Sequence, residues 1–263
     1  MPRRAARPSR RMRSDIWSCG GGTQSGAIAA LIGRGLLPKP DLCVMVDTGM
    51  EKSATWPFVD GFIRPQLRRA GCELKVIPTS DWATVDLVSL NGESILMPGF
   101  TNQSGTVGKL DPYCSNEWKT RPVRRYLRSI GVEKARCWLG FSLDEMRRVR
   151  TSDTQWLELF YPLIFTLPQR RYQCIEVIRS EGWTGLIPHS ACYSCPNNSD
   201  PEWIDMQRNW PDDFAQACRL EERLQKIDPH FFLHPSCTPL AEVDFFAQST
   251  MFPERGCTSG CFT

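Results

Sequence analysis

Two short stretches of this sequence put reactive residue types at spacings that chemistry can use. In the first, Cys192 and Cys195 stand two residues apart, directly ahead of Pro196. Two thiolates so placed can chelate one metal ion or two corners of an iron–sulfur cluster, and the proline stiffens the turn that holds them. A redox dithiol is the competing chemistry, but such a pair opens a helix after an early strand, whereas this one follows a late helical pattern. Packing is the third reading. In the second stretch, Ser18, Cys19, Gly20, Gly21, Gly22, Thr23, Gln24 and Ser25 lead from a predicted strand into a predicted helix. Successive glycines let backbone N–H groups curl around an anion, the helix N-terminus adds partial positive charge, and Ser25 can donate another hydrogen bond. A tight structural turn is the plainer alternative.

Three further segments carry candidates. Asp47 and Thr48 close the second predicted strand, where parallel sheets gather ligands; the plainer role for Asp47 is an Asx turn. Cys114 and Lys119 precede a run containing Arg121, Arg124, Arg125 and Arg128, a positive face suited to phosphate or sulfate, or merely solvated. Arg148 ends a segment that begins at Gly140 and is a second candidate for an anion contact. His189, His230 and His234 are the only histidines; His189, three residues before Cys192, is a candidate ligand or supporting donor, although a packed loop histidine is the commoner role. No Ser-His-Asp arrangement is visible in the sequence.

These residues need a scaffold. Apolar runs at 15–18, 42–47, 73–77 and 136–141 read as strands, with helical patterns at 25–34, within 54–69 and at 117–129. This alternation signals βαβ units around a mainly parallel sheet with helices on both faces. Residues 97–112 read as a long loop, a candidate lid. Thr166, Gln169 and Pro168 read as the start of a helix closed by Gly182, and further helices are expected over 201–208 and 212–226. The expected division is a basic arm (1–14), a nucleotide-binding α/β domain (15–165) and a helical, cysteine-bearing extension (166–263).

The net charge of +3 is dominated by Arg3, Arg4, Arg7, Arg10, Arg11 and Arg13; taking these six from 32 Lys and Arg leaves 26 against 29 Asp and Glu. The arm could touch nucleic acid or be a solvated tail. No apolar run approaches the roughly 18 residues of a membrane-spanning helix, so a cytoplasmic protein without a membrane partner is expected. Twelve cysteines in a reducing compartment should not form a disulfide framework. Cys19, Cys43, Cys72, Cys137, Cys174 and Cys218 lie singly in apolar or helical surroundings and read as small hydrophobes.

In order, these motifs resemble the phosphoadenosine phosphosulfate reductase-like PP-loop family, part of the adenine nucleotide alpha hydrolase superfamily. That group also includes the ATP-pyrophosphatase component of DNA phosphorothioation systems. Gly21, Gly22 and Ser25 match the PP-loop, with Gly20 where its serine stands and Gln24 in place of its aspartate. Asp47-Thr48-Gly49, the Cys114/Lys119/Pro122 spacing, Gly140/Glu145/Arg148 and Cys192/Cys195 follow the same family. The resemblance implies a Rossmann-like fold and a site for ATP or another adenine nucleotide, with which magnesium would travel. It also implies a 4Fe-4S cluster, zinc being the alternative, on Cys114, Cys192 and Cys195. Cys257 or Cys261 would supply the fourth ligand or a nucleophile, and Lys119 would contact the anionic end. The implied activity is ATP-dependent adenylation or sulfur transfer to a nucleic acid or small molecule, with a nucleic acid or a sulfur-donor protein as expected partner. Sulfonucleotide reduction is the second reading, and a non-catalytic nucleotide-binding or anti-defence module the third.

Overall fold

The computed structural model describes residues 13–84 and 95–248, so most of the basic arm and both Cys257 and Cys261 lie outside the described residues. Its strands, in chain order, are β1 (Ser14–Cys19), β2 (Leu42–Asp47), β3 (Leu74–Pro78), β4 (Phe100–Thr101), β5 (Gly108–Lys109), β6 (Ala135–Leu139), β7 (Leu157–Phe160) and β8 (Phe231–Phe232). Five of them form an all-parallel sheet in the order β3-β2-β1-β6-β7. The chain first winds outward from β1 to β3, then returns to β1's other edge. Between β1 and β6 the direction of winding reverses, and ligands of open α/β sheets bind beyond the carboxyl ends of the strands at such a point. The fold is thus a Rossmann-like α/β arrangement.

Period-two alternation fixes both faces of this sheet. Trp17, Cys19, Cys43, Met45 and Trp138 pack under the helix Thr23–Gly33, Phe58 to Leu67 of the following helical stretch, and Cys174 and Ile178 of the helix Arg171–Ser180. Ile16, Val44, Val46, Cys137 and Leu139 point the other way, onto Val123 and Leu127 of the helix Arg121–Ser129 and onto Tyr161 and Ile164. Burial pushes the Cys137 and Cys174 thiols up to about 12 and that of Cys19 to about 11, and raises Cys43 and Cys72 as well. These cysteines serve as packing, because the reactive thiolate is suppressed.

A third core lies at the sheet's carboxyl end. The helices Asp200–Asn209 and Pro211–Gln225 contribute Trp203, Met206, Ala217, Leu220 and Leu224 to a cluster with Met50, Met97, Phe231, Leu233, Leu240 and Phe245. Buried Asp213 accepts hydrogen bonds from the Ser53 amide and hydroxyl at 2.7 and 2.6 Å, pinning this cap to the segment after β2. Buried Glu221 receives the Leu233 amide at 2.7 Å. His234, fully buried, contacts Asp200 at 3.0 Å and Ser236 at 2.8 Å. The Ser236 oxygen also takes the Thr238 amide, so this trio, invisible in the sequence, ties a turn.

Several expectations need correction. The helix expected from Thr166 starts at Arg171, because Pro162–Phe165 makes its own short turn and the Gln169 amide closes onto Leu163 O at 3.0 Å. That helix packs on the sheet, and residues 181–191 lead from it to the cysteine pair. The loop 97–112 contains a hairpin, β4 with β5, and β4 also pairs with β8. Strand β7 carries no clear sequence signal. Among the described residues, no helix is long and apolar enough to cross a membrane.

Candidate functional site

The glycine loop leaves β1 at the reversal point and is shaped by the protein's own bonds. Gly20 N donates to the buried Ser25 hydroxyl at 2.9 Å, and Gly26 N closes the first helical turn on Gly22 O. Gly21 has φ +74°, a conformation that favours glycine, and a Cβ there would lie 2.9 Å from Met45 and from Thr55. At Gly22 the constraint is a neighbour: a Cβ would lie 2.6 Å from the Ser190 amide nitrogen. The segment leading to the cysteine pair therefore rests directly on the loop. Thr23 N donates to Pro188 O at 3.1 Å, and the Ser190 hydroxyl donates to Gly20 O at 2.6 Å. One helix-terminal donor is thus already spent, so Gly22 serves chain packing as well as any anion. Ser18, on β1, pairs with Val44 and Leu139 of the neighbouring strands.

Across the reversal point, Gln24 Nε2 donates to Glu145 Oε2 at 2.9 Å. Glu145 also ion-pairs with Arg148, whose guanidinium lies 4.2 Å from the centre of the Phe141 ring. Gln24 of the glycine loop is thus matched by a carboxylate from the opposite loop. Asp47 accepts the Gly49 amide at 2.8 Å, the Asx turn anticipated as its plainer role.

Beside this crevice, Cys114, Cys192 and Cys195 line one pocket of about 520 Å³, open mouth included, with Thr48, Lys119, Ser190 and the apolar walls Met50, Met97, Pro98 and Trp118. Three elements deliver them. Cys114 precedes a π-helical turn, Ser115–Thr120, that turns Lys119 toward the same space; π-turns often mark functional positions. Cys192 is fixed by an antiparallel bridge to Glu51 and by Tyr193 N donating to Met50 O at 3.0 Å. Cys195 receives a hydrogen bond from Asn197 Nδ2 at 3.7 Å, while Lys109 Nζ holds the same amide by its oxygen. Thr48 Oγ1 lies 3.8 Å from Cys192 Sγ and donates to Glu51 at 2.9 Å; Glu51, whose side chain is 3 % exposed, stands 3.9 Å from Lys119.

Among the described residues, no group of three or more His, Cys, Asp or Glu side chains is disposed to hold a metal ion. A tetrahedral zinc ion would need its sulfurs within about 3.8 Å of one another, given Zn–S bonds of about 2.3 Å. Cluster ligands bind separate irons and stand further apart. Soft thiols, apolar walls and the lack of histidine or carboxylate in the lining suit a thiophilic centre, zinc or an iron–sulfur cluster, better than a hard cation.

His189 does not enter this lining. It pairs with Glu202 at 2.9 Å; burial works to raise the Glu202 carboxyl, but the His189 bond and the Lys52 charge bring it down to about 2. The arginine run is likewise occupied: Arg121 by Glu117, Arg124 by Asp153, Arg125 by Trp82 O and Thr84, and Arg128 by Val132 O. Only Lys119 of that positive face lines the pocket. Sequence reasoning missed Glu51, Lys109, Ser190 and Asn197. Glu51 and Ser190 lie close in the chain to Thr48 and Cys192, but nothing local shows what they contact.

No family model and no curated protein sequence matches the chain. Among solved structures it is similar to the U34-tRNA thiolase NcsA from Methanococcus maripaludis with its 4Fe-4S cluster, at 16% identity and a TM-score of 0.41, over 82% of this chain and 74% of that one.

Proposed function

We propose that the protein is a PP-loop enzyme that binds ATP, with magnesium, in the crevice between residues 20–25 and 140–148 and activates an acceptor for sulfur transfer at the adjoining cysteine pocket. One juxtaposition carries this reading: Ser190 lines the pocket that contains Cys114, Cys192, Cys195 and Lys119, and the same residue bonds to Gly20 of the glycine loop. A phosphate held at the loop would therefore lie beside the thiols. Adenylation of an acceptor oxygen would release pyrophosphate, and a sulfur nucleophile would then displace AMP. Arg148 and Lys119 would offset phosphate charge, and Thr48 lines the pocket with Lys119. An iron–sulfur cluster held by Cys114, Cys192 and Cys195 would supply an open iron at which sulfur can be held.

The test is the protein purified without oxygen and given ATP and magnesium. ATP should raise the melting temperature, because a ligand that binds only the folded state stabilises it by mass action. With an acceptor present, AMP and pyrophosphate should form. Release of sulfite from adenylyl sulfate or its 3′-phosphorylated form, with thioredoxin as reductant, would instead establish reduction. An unchanged melting curve with ATP, AMP and both sulfonucleotides would remove the nucleotide site altogether.

A further inference from the structure

We propose that the rim of the reversal-point crevice, formed by residues 142–150 and 165–172, is a docking surface for single-stranded nucleic acid. The inference rests on the preceding reading only in taking the bound strand as the source of the acceptor.

The two segments form one surface. Leu143 N donates to Gln169 O at 2.8 Å, Asp144 accepts the Arg171 amide at 2.6 Å and pairs with Arg170 at 3.3 Å. Tyr161 exchanges hydrogen bonds with the Arg150 backbone and packs edge-on against Phe165. Together they hold four arginines at the surface, Arg147, Arg150, Arg170 and Arg171, and a fifth, Arg148, packed over Phe141 with its side chain 9 % exposed, against two carboxylates, Asp144 and Glu145. Both carboxylates are engaged: Asp144 holds the start of the helix Arg171–Ser180, and Glu145 faces Arg148 and, from the glycine loop, Gln24.

Interleaved with this charge are three large apolar side chains turned to solvent: Met146 at 55 %, Phe165 at 62 % and Tyr172 at 57 % exposure. A merely solvated basic face has no use for them. Guanidinium groups neutralise phosphates, while aromatic faces stack on unpaired bases with little regard to sequence, and this combination marks single-strand binding. A duplex would present phosphates but no base faces. An acidic peptide would match the charge and leave Phe165 and Tyr172 unused. Glu145 links the surface to Gln24, so a bound strand passes beside the nucleotide crevice.

The experiment measures fluorescence anisotropy of a labelled mixed-sequence 20-nucleotide RNA and the matching single-stranded DNA. Competitors are the corresponding duplex, heparin, polyglutamate and anionic phosphatidylserine vesicles. The full chain is used throughout, so the arginines of the arm are constant. We expect the single strands to bind more tightly than the duplex, with affinity falling as salt rises. Phe165→Ala with Tyr172→Ala should weaken binding at least about fivefold without changing charge, and Arg147→Glu with Arg170→Glu should weaken it at least about tenfold and flatten the salt dependence. All four residues are at the surface, and circular dichroism and the melting curve verify folding. Binding that is indifferent to the aromatic pair, equal for duplex and single strand, or displaced better by polyglutamate or vesicles would overturn the proposal. The ATP-induced melting shift, measured on the same samples, tells the two readings apart: its absence with strand binding intact defeats the nucleotide reading alone, and its presence without strand binding defeats this one alone.

Discussion

Around the glycine loop the protein spends its polar groups on itself: Ser25 takes Gly20 N, Pro188 O takes Thr23 N, and Ser190 donates to Gly20 O. On the other side of Ser190, the cysteine pocket has walls of methionine, proline and tryptophan, and three thiols and one lysine line it together with hydroxyls such as that of Thr48. The first region is fixed by contacts that exist before any ligand arrives. The second brings soft donors from separate segments to one space, where a bound group would complete the packing. Disturbing the loop should therefore damage both regions, whereas disturbing a thiol should damage only the pocket.

The largest effect is expected from Gly22→Val. Its Cβ would lie 2.6 Å from a backbone nitrogen, which must move, and such overpacking costs about 1–3 kcal/mol. The melting temperature should fall, the ATP-induced shift should vanish, and iron content should fall too, because residues 188–190 carry the cysteine loop. Full iron loading in Gly22→Val would break the proposed coupling between the regions.

Next in size, Cys192→Ala and Cys195→Ala should abolish, and Cys114→Ala weaken or abolish, the visible charge-transfer absorption of anaerobically prepared protein, since thiolate-bound iron absorbs there. The ATP-induced shift should survive in all three. Stoichiometric zinc without iron or sulfide in the parent protein would replace the cluster assignment.

The same contrast explains what could be read in advance. Strands 42–47 and 136–141 stood out because both faces of the parallel sheet are buried, giving near-continuous apolar runs. The glycine loop was legible because a strand, a glycine turn and a helix start are consecutive. The meeting of Cys114 with Cys192 followed from family resemblance and not from spacing, because it depends on a π-turn and on the Glu51 bridge. The arginine run kept two readings open for the converse reason: Asp153, Trp82 O and Val132 O, which engage its members, are distant or main-chain partners without local pattern. Strand β7 was missed because Glu158 interrupts its four residues.

A smaller, pH-dependent effect sharpens the role of residues 188–190. The folded Glu202 carboxyl sits at about 2, below the unfolded value of about 4.3. A depressed carboxylate contributes stability that is complete above the unfolded value and lost as pH falls through the folded one. Glu202→Gln can keep the helix cap with Ser199 while losing the charge facing His189 and Lys52. The melting temperatures of parent and variant should differ by a few degrees at pH 6 and converge between pH 4.5 and about 2. A constant gap would assign the effect to packing.

The smallest effect should come from Asn197, because one hydrogen bond to sulfur is at stake. Lys109 holds the side-chain oxygen of Asn197, which leaves the NH2 group to face Cys195 Sγ at 3.7 Å. Donors to thiolate sulfur favour the more electron-rich state of a cluster and so raise its reduction potential. Asn197→Ala removes the donor; Lys109→Gln leaves it in place but loosens its orientation. Both should lower the midpoint potential of the anaerobic protein, Asn197→Ala by the equivalent of about 1 kcal/mol, an ordinary hydrogen bond, and Lys109→Gln by less. Neither should alter the ATP-induced melting shift, because the hydrogen bonds at stake join Lys109, Asn197 and Cys195. If the two variants shift the potential equally, Lys109 acts through its own charge; if neither does, the Asn197 contact only packs the turn.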